Sequence, residues 1–211
     1  MAYPHIFWDF NGTILDDVQI GIDSINTVLT RRNLPRIGSA EEYRACFEIP
    51  VLNYYKRIGL CEGPEDFTEP ANEWVAEYLR RVPQAPLYPD VRAVLEAVRA
   101  RHIPQIVLSA TEQTMLERQL NDLGIAGFFE EILGQGDVYG RGKGECAARW
   151  AEAHPQAHAV LIGDTAHDAE TARLLRADCF LVSAGHQPAE RLRECGCPVF
   201  GSLTELLPLL Q

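Results

Sequence analysis

The chain has 211 residues, of which 46% are hydrophobic and 23% are charged, so it can bury a core and is not of the disordered class. The formal net charge is −11, because 30 acidic residues outnumber 19 basic ones. This balance excludes nonspecific nucleic-acid binding, which needs basic residues that replace counterions, and it disfavours docking on an acidic membrane surface.

The sequence shows neither a signal peptide nor a membrane span, and it gives no indication of disulfide bonds. The first residues lack the basic stretch and apolar run of a signal peptide, and no segment approaches the ~18 apolar residues of a membrane span. A chain of this length does not need disulfides, so we expect its six cysteines to be free thiols. We therefore expect a cytoplasmic protein whose partner is a small molecule and neither a nucleic acid nor a membrane. The pattern does not indicate an oligomeric state.

The chain begins with a predicted strand and continues with a helical block. Residues 5–8 form a short apolar run that is typical of a buried strand. In the block that follows, apolar side chains recur at helical spacing, and Ser39 with Glu42 predicts a capping box. The predicted helices of this block cover residues 16–33, a short segment after Ser39, 50–59 and 70–82. No convincing strand is found between residues 16 and 83.

From residue 87 onwards the pattern alternates between strands and helices. The predicted strands cover residues 105–109, 131–133, 158–163 and 178–182. The predicted helices cover residues 90–101, 111–123, 144–153, 167–176 and 201–210. Such alternation predicts an α/β fold, a Rossmann-like parallel sheet covered on both faces. We expect an α/β core made of residues 1–15 and 84–211, with an α-helical insertion over residues 16–83.

Polar side chains come directly after the predicted strands. Asp9 and Asp164 each follow one, Ser109 is the last residue of another and follows its apolar run, and Lys143, one of only two lysines, lies in a glycine-rich stretch. Parallel strands end at one edge of the sheet, where α/β proteins bind ligands. The two carboxylates suit Mg²⁺, the hydroxyl can donate to a phosphate oxygen, and the lysine supplies positive charge. Gly12 would let backbone N–H groups approach the phosphate closely. The sequence thus predicts a phosphate site with a divalent metal.

These residues, taken in order, resemble the motifs of the haloacid dehalogenase superfamily. The matched positions are Asp9-Phe-Asn-Gly-Thr13 for Asp-x-Asp-x-Thr, Ser109 for the second motif, Lys143 for the third and Gly163-Asp164-Thr-Ala-His-Asp168 for Gly-Asp-x-x-x-Asp. The resemblance covers the whole chain and is closest to the phosphoglycolate-phosphatase-like branch. In that branch a helical cap of the first type is inserted where this chain has residues 16–83.

The resemblance implies a Mg²⁺-dependent phosphatase that acts on a small phosphorylated metabolite. Asp9 would be the nucleophile that forms an aspartyl-phosphate. The implied metal ligands are Asp9, the main-chain carbonyl of Asn11, Asp164 and Asp168. The implied substrate contacts are Gly12, Thr13, Ser109, Ala110 and Lys143. Ala110 stands where the family often has asparagine, which removes one contact, and Asp168 could instead only cap the helix that follows.

One position departs from the family pattern. Asn11 replaces the aspartate that serves the family as general acid and base, and an amide cannot transfer a proton at neutral pH. Such catalysis is typically worth ~10²–10⁴-fold. Three explanations remain open: a slow phosphatase or one for good leaving groups such as acyl phosphates, a substitute group, or a phosphate-binding or phospho-accepting regulator without turnover. The candidate substitutes by sequence are Asp16, Asp17 and His167.

Two other interpretations fit less well. Phosphonoacetaldehyde hydrolase, a relative, also lacks this aspartate and uses a cap lysine, and Lys56 lies in the insertion here. That lysine stands beside Arg57 and is more typical of a solvated helix face. A receiver domain uses a similar set of side chains, but it is near 120 residues long and has no inserted cap.

Overall fold

The computed structural model describes residues 3–136 and 143–210. Strands and helices alternate in it much as the sequence predicts. The strands are β1 (His5–Trp8), β2 (Gln105–Glu112), β3 (Glu131–Gln135), β4 (Ala159–Gly163), β5 (Asp178–Val182) and β6 (Val199–Phe200). The helices are α1 (Val18–Arg31), α2 (Ala40–Cys46), α3 (Val51–Arg57), α4 (Thr68–Arg81), α5 (Val91–Ala100), α6 (Gln113–Asp122), α7 (Gly144–Ala153), α8 (Ala166–Leu175) and α9 (Ala189–Arg193).

The strands form one sheet in the order β3-β2-β1-β4-β5-β6, and every described pairing is parallel. The chain first builds outward from β1 through β2 to β3, and then returns to place β4 on the other side of β1. This change of direction creates a crevice beyond the carboxyl ends of β1 and β4, the usual ligand position in such sheets. The α/β class predicted from the sequence is confirmed.

The central strands are buried on both faces because their side chains alternate between two apolar clusters. Ile6 and Trp8 of β1 pack into one cluster and Phe7 into the other, and all three are fully buried. In β4, Val160 likewise joins the first cluster and Leu161 the second. The short apolar runs that mark these strands in the sequence therefore fill both sides of a covered sheet.

Helices α1–α4 stand between β1 and α5 in the chain and contribute most of their apolar side chains to a third cluster. The Ser39 hydroxyl accepts the N–H of Glu42 at 3.1 Å and so begins α2 as predicted. The Glu42 carboxylate reaches back to the Gly38 N–H rather than to Ser39, which makes the cap a variant of the box. No helix of residues 3–136 or 143–210 is long and apolar enough to cross a bilayer.

Some element boundaries differ from the predictions. Strand β2 continues through Glu112, whose carboxylate then accepts the N–H groups of Thr114 and Met115, so α6 starts two residues later than predicted. The predicted helix over residues 201–210 is only a 3-10 turn at Leu203–Leu206. Helix α9 and the two-residue strand β6 carry too little periodicity to be predicted.

Candidate active site

The loop after β1 brings Asp9 to the sheet edge. Its backbone N–H donates to the carbonyl of Ile162 in β4 at 2.8 Å, which aligns the ends of the two strands. The carbonyl of Phe10 then accepts the N–H groups of Ile14 and Leu15 at 2.9 and 2.8 Å, so the loop folds tightly back on itself. Asp9 lies in a cavity that the structure forms between this edge and the helices of the 16–83 segment.

Three carboxylates converge in this cavity. One oxygen each from Asp9, Asp164 and Asp168 lies within 4.8 Å of the others, and all three residues are buried. The Lys143 ammonium contacts Asp9, lies 2.6 Å from Asp168 Oδ1 and donates to the carbonyl of Leu108 at 3.0 Å. Lys143 is 2% exposed, so the residue predicted to bind phosphate is held among the predicted metal ligands. The preceding residues of its glycine-rich stretch lie outside the described part of the chain.

Asp168 serves both the site and the fold. Its Oδ2 accepts the N–H groups of Asp164 and Thr165 at 3.1 and 2.9 Å and the Thr165 hydroxyl at 2.7 Å, which caps helix α8. Its Oδ1 pairs with Lys143. The helix-cap interpretation and the active-site interpretation of Asp168 are therefore compatible.

The electrostatics of the cluster leave negative charge only partly balanced. Burial raises the pKa of Asp9, and Lys143 opposes this rise. Burial, aided by Asp9 and Asp168, also holds the pKa of Asp164 well above its usual range, against the pull of His186. At Asp168 burial is outweighed by Lys143, so the pKa of that carboxyl is lowered. A single ammonium among three buried carboxylates is an environment that favours a further cation.

Asn11 is fixed by three hydrogen bonds. Its Nδ2 donates to Asp17 Oδ2 at 2.9 Å and to the Tyr78 hydroxyl at 2.7 Å, and its Oδ1 accepts the Thr111 hydroxyl at 2.8 Å. The Thr111 hydroxyl also accepts from Ser109 at 3.1 Å. The amide orientation follows from these partners, since Asp17 can only accept and Thr111 then donates. Asn11 is thus locked beside a carboxylate that the family pattern does not include.

Asp17 joins this site to a histidine from the far end of the chain. Its Oδ1 lies 3.2 Å from His186 Nε2, and the His186 Nδ1 lies 2.9 Å from the Tyr43 hydroxyl. Burial opposes charging of His186, but Asp17, with help from Asp164, outweighs it and raises the pKa of the imidazole to about 9. Burial raises the pKa of Asp17, but His186, Tyr78 and Asn11 outweigh it, so the pKa is lowered.

Most of this network is invisible in the sequence. Asp17 stands near the first motif and is a candidate by position. Tyr43, Tyr78 and His186 come from α2, α4 and the loop after β5, and their hydroxyl and ring groups follow no spacing rule. Each of these side chains is recognised as part of the site only by its hydrogen-bond partner. For the two tyrosines and the histidine that partner lies 61 residues or more away in the sequence.

The remaining predicted residues line the cavity or support it. Ser109 and Ala110 line it, and the Thr13 hydroxyl donates to Asp164 Oδ1 at 3.4 Å. The N–H of Gly12 itself is bound by Leu15 O at 2.9 Å and Asp17 Oδ1 at 3.0 Å, and the predicted phosphate contact of this loop stays a prediction. Gly12 is needed for another reason: its φ is +77° and a Cβ there would overlap the Asp164 carboxylate.

The candidate substitutes for the missing acid fall into two groups. Asp17 and His167 line the cavity, whereas Asp16 does not. The His167 Nε2 lies 3.3 Å from the backbone N of Lys143 and accepts its N–H. Lys56 is exposed on α3 and does not line the cavity, so the geometry gives the phosphonoacetaldehyde-hydrolase-like interpretation no lysine.

The carboxylate cluster fits a hard divalent cation. Its donors are all oxygens, they are buried, and Mg²⁺ prefers such ligands together with water and phosphate. Among backbone N–H groups of the described residues outside regular elements, none donates to the Asn11 carbonyl, which leaves that oxygen available. The candidate ligands are thus Asp9, Asp164, Asp168 and the Asn11 carbonyl.

Comparison with known proteins places the chain in a family. The sequence model of the haloacid dehalogenase-like hydrolases matches residues 6–182. A phosphoglycolate phosphatase from Pseudomonas savastanoi pv. phaseolicola is 23% identical over 217 residues, covering 96% of this chain and 78% of the relative. A haloacid dehalogenase-like family hydrolase from Streptococcus pneumoniae shares the fold with a TM-score of 0.81, 20% identity and 99% of both chains covered. A predicted phosphatase from Clostridium acetobutylicum does so with a TM-score of 0.84, 17% identity and coverage of 100% and 99%. The chain therefore belongs to the haloacid dehalogenase-like hydrolase family of enzymes.

Proposed function

We propose that the protein is a Mg²⁺-dependent phosphohydrolase that cleaves a small phosphate monoester through an aspartyl-phosphate at Asp9. The observation that carries this proposal is the convergence of Asp9, Asp164 and Asp168 within 4.8 Å, with Lys143 bound to two of them. Phosphoryl transfer needs positioning and positive charge around the transferred group more than it needs other chemistry. This cavity offers a carboxylate nucleophile, a buried ammonium and a place for a cation.

The chain's own residues would act in the following way. An oxygen of Asp9 attacks phosphorus, and the bond from phosphorus to the ester oxygen breaks. Lys143 balances the charge of the phosphoryl oxygens and keeps Asp9 ionised. Ser109 lines the same cavity, and its hydroxyl would donate to the phosphoryl group by turning away from Thr111. A bound Mg²⁺ would supply further charge neutralisation at the phosphoryl group. Water then attacks phosphorus of the acyl phosphate and releases inorganic phosphate.

Asn11 sets a limit on this chemistry. Its amide is committed to Asp17, Tyr78 and Thr111, and it carries no proton that it could give to a departing alkoxide. This arrangement supports a phosphatase that is slow on poor leaving groups and faster on good ones. It equally supports a second candidate, a phospho-accepting regulator in which the aspartyl-phosphate persists because nothing activates the attacking water.

We also propose that residues 16–83 act as a cap over the α/β core formed by 1–15 and 84–211. Helix α2 reaches the loop after β5, since Arg44 donates to the carbonyls of Gly185 and Ala184 at 2.8 and 2.9 Å. From α4, Tyr78 contacts Asn11 directly. The cavity takes its walls from both parts of the chain.

The test is Mg²⁺-dependent release of phosphate from p-nitrophenyl phosphate and acetyl phosphate. We expect activity in the wild type, loss in Asp9→Asn, and little change in Asp23→Asn, a matched control on the exposed face of α1. Absence of hydrolysis of both esters, with binding of fluoroberyllate that needs Asp9, would select the regulator. Equal activity of the wild type and Asp9→Asn would reject both candidates.

A further inference from the structure

The part of the cavity beyond the carboxylates is lined by aromatic and aliphatic side chains. They come from α2, α3, α4 and α6 and the turns between them. The members used here are Phe47, Tyr55, Phe67, Trp74, Val75 and Met115. We call this set the apolar wall. Because the same cavity contains Asp9 and Lys143, a group attached to a phosphate at Asp9 can reach the apolar wall without leaving the cavity.

The apolar wall is held in place by packing between its own rings. The rings of Tyr55 and Phe67 lie 5.4 Å apart, and the ring of Trp74 stacks on that of Tyr78 at 4.8 Å with an angle of 17°. Tyr78 is in turn fixed by its hydrogen bonds to Asp17 and Asn11. A wall fixed by such contacts is preformed, which lowers the cost of ordering it around a ligand.

The cavity offers no free cation to a second anionic group of the substrate. None of its described lining residues is an arginine, Lys143 is already paired with Asp9 and Asp168, and the His186 imidazole is paired with Asp17. Two arginines of the helical segment are engaged elsewhere: Arg44 binds backbone carbonyls and Arg57 pairs with Glu48. A leaving group that bears a carboxylate would lose its hydration here without gaining a cationic partner, whereas a single hydroxyl could still meet the Tyr54 hydroxyl, which lines the cavity and has no partner among the described residues.

The chemistry at Asn11 points to the same class of leaving group. An alkoxide needs a proton as it departs, and Asn11 cannot supply one. A phenol has a pKa near 10, like the side chain of tyrosine, so a phenolate leaves with much less help. An aromatic leaving group thus suits both the surface that would contact it and the amide beside the breaking bond.

We propose that the substrate is the phosphate monoester of a phenol, whose ring packs on the apolar wall while its phosphoryl group meets Asp9 and Lys143. The proposal rests on the phosphohydrolase function proposed above. Asp9 attacks phosphorus, the bond between phosphorus and the phenolic oxygen breaks, and the phenolate takes its proton from solvent. Hydrolysis of the aspartyl-phosphate by water completes the cycle, so the net reaction adds water and needs no other reactant.

Binding of non-hydrolysable analogues tests recognition apart from leaving-group reactivity. We expect phenylphosphonate to bind the Mg²⁺-loaded protein at least about 10-fold more tightly than phosphonoacetate by titration calorimetry, within the range that apolar pockets achieve. In the matching kinetic test, kcat/KM for 2-naphthyl phosphate exceeds that for phosphoglycolate by about 10²-fold or more. Tighter binding of phosphonoacetate, or a kcat/KM for phosphoglycolate that equals or exceeds that for the aryl ester, would overturn the inference.

A matched pair of variants assigns the preference to the cavity. Leu79 lines the cavity and is 41% exposed, whereas Leu209 is 43% exposed and does not line it. We expect Leu79→Arg to reduce the preference for phenylphosphonate at least about 5-fold, while Leu209→Arg leaves it unchanged. The same effect in both variants, or in neither, would contradict the assignment.

If no ester is hydrolysed at all, the phosphohydrolase function fails; if polar esters are hydrolysed best, only the present inference fails.

Discussion

Replacing Asn11 with aspartate would restore the family motif, yet the structure predicts that this change alone is harmful. The Asn11 Nδ2 lies 2.9 Å from Asp17 Oδ2, so a carboxylate at position 11 brings two negative charges to about that separation. At an effective dielectric constant of about 20 the repulsion is about 6 kcal/mol. The amide at position 11 and the acid at position 17 therefore form a pair that tolerates only one carboxylate.

The loss of stability expected for Asn11→Asp is set by the smaller of two free-energy costs, which are the charge repulsion and the protonation of one carboxyl. Protonating one carboxyl at pH 7 against an ordinary pKa near 4 costs about 4 kcal/mol, less than the repulsion. We expect Asn11→Asp to hold one shared proton and to lose about 4 kcal/mol of unfolding free energy at pH 7. In the background of Asp17→Asn the same substitution should cost about 1 kcal/mol or less, because the second charge is gone.

The assay is urea denaturation at pH 7 of the wild type, both single variants and the double variant, in the absence of metal. We expect a coupling free energy of about 3 kcal/mol between the two positions. Equal costs of Asn11→Asp in both backgrounds, within about 0.5 kcal/mol, would refute the reasoning. The effect of an acid/base group at position 11 on activity is then measured by comparing the double variant with Asp17→Asn alone. We expect the double variant to hydrolyse an alkyl phosphate ester about 10²-fold faster.

Three further predictions concern the same part of the molecule. Glu77→Gln should lower the unfolding free energy by about 1–2 kcal/mol in urea, because Glu77 is 4% exposed and paired with three partly exposed arginines; an unchanged midpoint would contradict this. The folded-state pKa of His186 is about 9, above the ordinary 6.5, so its contribution is complete below pH 6.5 and is lost as pH rises to 9. The stability difference between wild type and His186→Gln should therefore shrink by about 3 kcal/mol over that window, and a pH-independent difference would refute the charge assignment. Gly12→Ala should abolish phosphate release while Gly59→Ala, also at positive φ but with open space around it, keeps most of it; comparable rates would contradict the close packing at Asp164.

The sequence predicts those features that depend on local pattern. Apolar runs such as residues 5–8 identify the strands because both faces of the sheet are buried, and the polar residue after each run identifies the sheet edge. Asp9, Ser109, Lys143 and Asp164 meet in one cavity as that argument predicts. Their catalytic roles remain predictions.

The features that escape prediction depend on contacts between distant residues. The Asp17–His186 pair joins the loop after β1 to the loop after β5, and no periodicity links the two. Similarly, the commitment of the Gly12 N–H to Leu15 and Asp17 depends on how the loop closes. The apolar wall could be predicted only as aromatic residues in a helical segment, where a buried core is the more common explanation. The side chains in this wall also contribute to that core, as Tyr55 and Phe67 do.

The most direct test of the account is single-turnover labelling with radiolabelled acetyl phosphate and Mg²⁺, followed by acid quenching and peptide mapping. The account predicts an acid-stable, base-labile label on the peptide that contains Asp9, and no label in Asp9→Asn. Asp23→Asn should be labelled like the wild type, since that residue is exposed on α1. Phosphate release without any label at Asp9, or labelling that persists in Asp9→Asn, would contradict the central claim that Asp9 is the phosphoryl acceptor.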